Sequence, residues 1–151
     1  MPYKITQTSW HKNKKQLTEI RRKVFIEEQQ VPEALEWDDE DKKSTHILAT
    51  DHNNKPIATA RMKPDGHIGR MAVLKQYRNN GIGSDILNKL IDIAREQNID
   101  KLYLHAQTTA IDFYLKHGFI TCSAEFMDAG IAHKTMEKYL SAKLKCSRKK
   151  T

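Results

Sequence analysis

Arg78, Asn79, Asn80, Gly81, Ile82 and Gly83 form a polar, basic hexapeptide with two glycines two residues apart. The chemistry such a stretch could do is anion binding. Ile68–Leu74, before it, is short and apolar and is bounded by Gly66 and Lys75, as expected of a strand buried on both faces. After it, Ile82, Ile86, Leu90, Ile93 and Ala94 recur at helical spacing, with Lys89, Asp92 and Arg95 on the other side. First-turn N–H groups of a helix have no intrahelical partner and carry the positive end of its dipole. Gly81 and Gly83 let a phosphate approach the backbone without meeting a Cβ, and Arg78 can add a charge-assisted contact. The residues therefore imply a pyrophosphate-bearing ligand. The plain alternative is a tight turn that uses glycine only for its positive φ. The third glycine of G-x-G-x-x-G and the G-K-[ST] of a Walker loop are both missing.

Composition narrows the classes. The 151 residues suit one domain, expected over 1–142, with a basic tail over 143–151. No apolar run approaches the ~20 residues of a membrane span, and MPYKITQTSW lacks a signal-like apolar region, so a soluble, cytoplasmic protein is expected. Cys122 and Cys146 lie far apart and outside any C-x-x-C, and the seven histidines include no H-E-x-x-H; neither a disulfide scaffold nor a metal is expected. The net charge of +7 and pI near 9.4 suit an anionic partner. Nucleic acid is disfavoured, because interleaved aromatics, an RNA motif and a recognition-helix pattern are lacking. KLKCSRKKT (143–151) reads as a solvated terminus in preference to a binding arm.

The positioning elements follow in order. Tyr3–Thr8 alternates as a first strand, and Asn13 is the expected N-cap of a helix through Leu17, Ile20 and Val24 to Phe25–Glu28, ended by Pro32. The acidic run 33–41 is either a solvated loop or a rim that attracts a cationic amine. His46–Thr50, Ile57–Met62 and 67–74 are three strands joined by turns, hence antiparallel. A helix over 81–97 leads to a strand, Lys101–Ala106, that returns parallel by a right-handed crossover. A short helix over about 109–117 stops at Gly118, and Phe119–Phe126 with Ala132–Tyr139 closes the sheet as a hairpin. The expected fold is α/β (an α+β mixed sheet), mostly antiparallel with one parallel strand pair and flanked by helices. A ligand is expected where the two parallel strands part.

RNNGIG (78–83) resembles the R/Q-x-x-G-x-G/A loop with which the GNAT family of N-acetyltransferases holds the pyrophosphate of acetyl-CoA. HAQTTAIDFYLKHGF (105–119) resembles that family's second motif, with Gln107-x-x-Ala110-x-x-x-Tyr114 where Asn-x-x-Ala-x-x-x-Tyr is typical. RKVFIEEQQVP (22–32), WDDED, TARM (59–62), GRMAV (69–73), LHAQ (104–107) and F-x-x-x-GIAH (126–133) look like the ElaA-like branch, a likeness that covers about residues 20–139. The resemblance implies the GNAT acyl-CoA N-acyltransferase fold and acetyl-CoA as cosubstrate, with no metal. It implies acetyl transfer to a primary amine of a small molecule or peptide by direct attack in a ternary complex. A non-catalytic acetyl-CoA-binding sensor or partner module is the alternative. The acceptor is not settled by it, and a homodimer stays open.

Under that resemblance Arg78 and the backbone of Asn79, Asn80, Gly81, Ile82, Gly83 and Ser84 take the pyrophosphate. The backbone of Met71, Ala72 and Val73 runs beside the pantetheine like an added strand. An N–H near Ala72 or Val73 serves the oxyanion. Gln107 contacts the CoA arm, with the substitution for Asn leaving that contact open, and Tyr114 protonates the leaving thiolate. An alkylamine must lose a proton before it attacks, and His105 at its strand end can take one near neutral pH. Glu28, His46, His133 and an ordered water chain are the rivals for that base. Arg61 and Arg70 either orient an acidic group on the acceptor or pair with the carboxylates of 36–41. With Glu28 and His133 they make up the acceptor-side set.

Overall fold

A computed structural model describes residues 2–140; Met1, and with it the expected basic tail at 143–151 and Cys146, lies outside the described residues. The chain forms two compact units. One holds the residues up to Pro64 together with Ile68–Leu90, and the other holds Asp65–His67 with the residues from Ile91 on.

In the first unit β1 (Tyr3–Thr8), β2 (Thr45–Asp51), β3 (Pro56–Met62) and β4 (Ile68–Val73) form an antiparallel sheet in that order. Helix α1 (Trp10–Arg21) continues as a π-helical segment, Arg22–Glu28. Its apolar stripe, Leu17, Ile20 and Val24, packs with Leu48, Ala72 and Leu74, and Trp10, Phe25 and Tyr77 border that cluster. The helix begins earlier than the sequence suggests. Ser9 caps it, its side chain accepting from the Lys12 N–H at 3.2 Å, while Asn13 lies inside at φ −127°, ψ 29° and kinks it. Two good capping residues stand four apart here. Asn13 loses the cap because its side chain turns to the Thr8 hydroxyl. The helical region ends at Glu28, as expected, but Gln30 at φ +60° turns the chain away, and Pro32 instead precedes α2 (Glu33–Glu36).

β4 is paired to β3 alone in its sheet, and it carries a bulge. Thr59 pairs with Ala72 and Arg61 with Gly69, so Arg70 and Met71 both stand opposite Ala60. Arg70 absorbs the extra residue at φ +51°, a left-handed conformation uncommon for an arginine. Beyond the bulge the ladder is regular. The Leu74 N–H donates to the Ile57 carbonyl at 2.9 Å, so by the two-residue alternation the N–H and C=O of Val73 point away from β3.

Helix α3 (Ile82–Glu96) covers nearly the expected span and buries Ile82, Ile86, Leu87, Leu90, Ile93 and Ala94. The second unit is an antiparallel sheet in which β8 (Ile131–Tyr139) pairs with β5 (Lys101–Gln107), β6 (Ile120–Thr121) and β7 (Phe126–Asp128). The Phe119–Phe126 strand of the expected hairpin is thus two short strands. The parallel strand pair shrinks to one bridge, His67 with Tyr103. That bridge depends on Gly66, which sits at φ +95° with its carbonyl accepting from the Tyr103 N–H at 3.1 Å. A Cβ there would lie 2.4 Å from the Lys101 carbonyl oxygen. Helix α4 (Ile111–Lys116) ends at Gly118, φ +86°, as the C-cap pattern predicts.

Candidate functional site

The loop before α3 has the form an anion site requires. Asn79 (φ +65°) and Gly81 (φ +81°) are both left-handed, and a Cβ on Gly81 would meet no atom within 4 Å. The first backbone bond of the helix is Asp85 N–H to Gly81 C=O at 3.1 Å, so the N–H groups of Ile82 and Gly83 precede the intrahelical ladder. Asn80 braces the turn, its amide donating to the carbonyls of Tyr77 and Arg78 at 3.2 and 3.1 Å.

Arg78 reaches this loop with its guanidinium engaged. Nη1 and Nη2 donate to Glu28 Oε2 and Oε1 at 2.7 and 2.8 Å, and Nε donates to the Val73 carbonyl at 2.9 Å. The Arg78 bond holds the Glu28 carboxyl below its usual range. Glu28, set on the acceptor side by sequence, is therefore placed on the phosphate-loop arginine.

The acidic run 33–41 is exposed at Glu33, Asp38 and Asp39, but it is anchored by buried carboxylates. Glu36 and Asp41 are buried, and three arginines meet three of its carboxylates. Arg21 donates from Nε to Glu36 at 2.8 Å and from Nη1 to Asp41 at 2.7 Å, with Trp10 and Trp37 rings 5.3 and 5.1 Å from its guanidinium carbon. Arg61 Nη1 donates to Asp38 at 2.7 Å and Asp41 at 3.0 Å. Arg70 Nη2 donates to the Glu36 carbonyl at 2.8 Å and to Asp38 at 3.2 Å. Of the two readings open for Arg61 and Arg70, the structure shows the pairing with 36–41. Burial pushes the Asp38 carboxyl up, but the Arg61 bond and the charges of Arg61 and Arg70 outweigh it, and the net shift is down. Sequence reasoning missed Arg21. A cation within the apolar stripe Leu17–Ile20–Val24 needs a carboxylate partner, and a lone acidic run in a basic chain is its natural source. His46 is also buried beside this cluster, its Nε2–H donating to the Asp41 carbonyl at 2.9 Å, and burial lowers its pKa.

In the second unit Leu102, Leu104 and Ala106 are buried, and Tyr103, His105 and Gln107 alternate with them on the other face of β5. A chain of rings covers that face. Tyr103 stacks on His67 at 4.6 Å; His67 meets His105 edge-on at 5.0 Å; His105 meets Phe126 edge-on at 5.6 Å; Phe126 stacks on His133 at 5.9 Å. Asp65 accepts from the Tyr103 hydroxyl at 2.5 Å and from the His67 N–H at 3.0 Å. His105 Nδ1 lies 2.9 Å from Thr135 Oγ1. His133 is buried, donates from Nδ1 to the Ile131 carbonyl at 2.7 Å, and stands opposite Gln107 in the β5–β8 register. Tyr114 lies on α4 with its ring edge-on to Phe113 (5.0 Å) and Phe119 (5.9 Å), and burial pushes its phenol up to about 12. The structure thus gathers His105 and His133 around Phe126. Sequence reasoning gave His67 and Thr135 no role, because only the His67–Tyr103 bridge and the β5–β8 register bring them to His105; Phe126 arrives through the β7–β8 pairing. Among the described residues no group of three or more His, Cys, Asp or Glu could hold a metal ion. No helix among them is long and apolar enough to cross a membrane.

Comparison with known proteins shows the family and the fold. The sequence profile of the acetyltransferase (GNAT) domain matches residues 10–140. A candidate acetyltransferase of Bacillus subtilis (strain 168) is 45% identical over 126 residues, which are 80% of this chain and 85% of that protein. Escherichia coli ElaA has the same fold, with a TM-score of 0.82 at 23% identity over 91% of this chain and 99% of its own. A GNAT family acetyltransferase from Elizabethkingia anophelis, solved with acetyl-CoA bound, superposes with a TM-score of 0.65 at 16% identity, covering 91% of this chain and 98% of that one.

Proposed function

Since the chain belongs to the GNAT acetyltransferase family, we propose that it transfers the acetyl group of acetyl-CoA to a primary amine of a small molecule or peptide, directly and in a ternary complex. The observation that carries this reading is the loop ahead of α3. Two left-handed residues, an open Gly81 and the leading N–H groups of a fifteen-residue helix make a cradle for a diphosphate. The Elizabethkingia protein with acetyl-CoA bound supports the choice of ligand.

Each role has a residue. The backbone from Asn79 to Ser84 and the Arg78 guanidinium hold the pyrophosphate. The Met71–Val73 edge of β4 lines the pantetheine, with Gln107 contacting the arm from β5. Of the two candidates for the oxyanion donor, the Val73 N–H is favoured, because it points off the sheet while that of Ala72 faces β3. His105 takes the proton of the substrate ammonium, and the neutral amine attacks the thioester carbon. As the C–N bond forms and the C–S bond breaks, the thiolate leaves with the Tyr114 proton. The nitrogen's surplus proton restores the phenol, and the proton on His105 passes to solvent. A phenol raised to about 12 stays protonated throughout the neutral range, as a donor must. His133, opposite Gln107, remains on the acceptor side. Arg61 and Arg70 take no acceptor role in this reading, because buried carboxylates hold them, and Glu28 is assigned instead to the Arg78 side chain. The acidic run therefore gives no reason to favour a cationic acceptor.

The test is a turnover screen with acetyl-CoA over polyamines, amino sugars, amino acids and peptides, read as released thiol. Turnover with at least one primary amine is expected. Tight acetyl-CoA binding by calorimetry with no thiol release from any of them would instead make the protein a cofactor-binding module.

A further inference from the structure

The His105 side chain is held from three directions within its own unit. His67 and Phe126 meet its ring edge-on, and Thr135 faces it across the β5–β8 pair. Thr135 is itself anchored. Its N–H donates to Ser123 Oγ at 2.8 Å, and its carbonyl accepts from the Cys122 N–H at 2.9 Å. The Ser123 hydroxyl in turn donates to the Ala124 carbonyl at 2.9 Å, so that oxygen is left only accepting from Thr135. With the Thr135 backbone held in this way, its Oγ1 lies 2.9 Å from Nδ1, where it can decide which ring nitrogen carries the proton.

We propose that Thr135 is a positioning residue for His105: its Oγ1 accepts the Nδ1–H and so keeps the basic lone pair on Nε2. The inference rests on His105 as the base of the proposed reaction. An accepting hydroxyl suits both states of the ring. The neutral imidazole needs an acceptor at Nδ1 to present Nε2 as the base, and the imidazolium formed after proton transfer still carries the same Nδ1–H. A donating hydroxyl would have to rotate in every cycle. Neighbouring His133 shows the same choice made by a carbonyl, Nδ1–H to Ile131. Among the described residues, the titratable groups seen to face His105 include His67 and Tyr103, with Asp65 bonded to the His67 backbone and the Tyr103 hydroxyl, and His133 across Phe126.

The test is long-range proton–nitrogen correlation on 15N-histidine protein, with the His105 signals assigned through His105→Gln. The native protein is expected to show a protonated Nδ1 and a bare Nε2 at high pH. Thr135→Val, which keeps the β-branched shape, is expected to move the proton to Nε2, and Thr135→Ser to keep it on Nδ1. A native spectrum with the proton on Nε2, or a Thr135→Val spectrum identical to the native one, overturns the proposal. In kinetics Thr135→Val is expected to lower kcat about tenfold, part of the 10²–10⁴ that a general base supplies, with KM for acetyl-CoA unchanged and the loss rescued by serine. A His105→Gln enzyme with native turnover removes the base, a separate failure, since the nitrogen spectrum reads the tautomer whether or not the ring is used.

Discussion

Arg78 and Glu28, fifty residues apart, meet in a two-bond fork at 2.7 and 2.8 Å beside the loop that leads into α3. The carboxylate orients the guanidinium and also cancels its charge. An incoming pyrophosphate thus meets a nearly neutral pair in place of a bare cation. Glu28→Gln keeps the size and the hydrogen-bonding reach but removes the opposing charge. CoA is expected to bind the variant about fivefold more tightly at low salt, roughly the 1 kcal/mol of an exposed charge pair. The gain should shrink as salt rises. Calorimetry across a salt series checks it; weaker binding of CoA by the variant would mean that orientation outweighs charge.

Tyr114→Phe should lower kcat and leave KM for acetyl-CoA nearly unchanged, since only the acid is lost. Because burial holds this phenol near 12, its ionisation should not cut the rate below about pH 10. Steady-state kinetics across alkaline pH test both points, and unaltered turnover in the variant would end the acid role.

Arg21 is the centre of the charge cluster in the first unit, touching Glu36, Asp41 and both indoles. Arg21→Ala takes one of two arginines from each of two buried carboxylates, leaving Glu36 to Arg70 and Asp41 to Arg61, and is expected to cost about 3 kcal/mol, the lower end for a broken buried pair. Arg21→Lys keeps the charge but not the planar fork, and should recover only part of the loss. Urea unfolding curves give both numbers.

Much of the fold was legible because its signals are local. The α3 stripe, the Gly118 stop and the turns between β2, β3 and β4 each fall within a window of a dozen residues, and the structure reproduces them. The failures are long-range. Asn13 and Ser9 compete for one cap, and the contact of Asn13 with Thr8 decides between them. The 33–41 run looks solvated until Arg21, Arg61 and Arg70 are brought to it from α1, β3 and β4. Of the proposed site residues, Gly81 and Gly83 announce themselves by spacing. Thr135 cannot, because nothing in HKTME marks it until the strand register sets it across from His105.

Asp38 gives the first unit an acid-sensitive contact. Its folded pKa lies below the ordinary 3.8, so its contribution is present above that value and is lost as pH falls through the lower folded one. Asp38→Asn should therefore be less stable than the native protein at neutral pH yet lose less on acidification. Urea midpoints at neutral pH and at about pH 3 measure the difference; equal losses in the two proteins would show that the carboxylate does not carry the effect.

Gly66→Ala should destabilise the second unit strongly. The position is left-handed, which alone costs a side chain about 1–2 kcal/mol, and the new methyl would press on the Lys101 carbonyl at 2.4 Å. Hydrogen exchange at the Tyr103 amide, which donates to Gly66, is the local readout; protection equal to the native protein would mean the chain shifts aside at little cost.

The protein's two tryptophans, Trp10 and Trp37, both flank the Arg21 guanidinium, one on α1 and the other just after α2. Intrinsic indole emission in this molecule is thus an optical gauge of a single event, the seating of the 33–43 segment against the first helix. Any ligand, acid or substitution that lifts that segment will announce itself in the emission spectrum without a label being added.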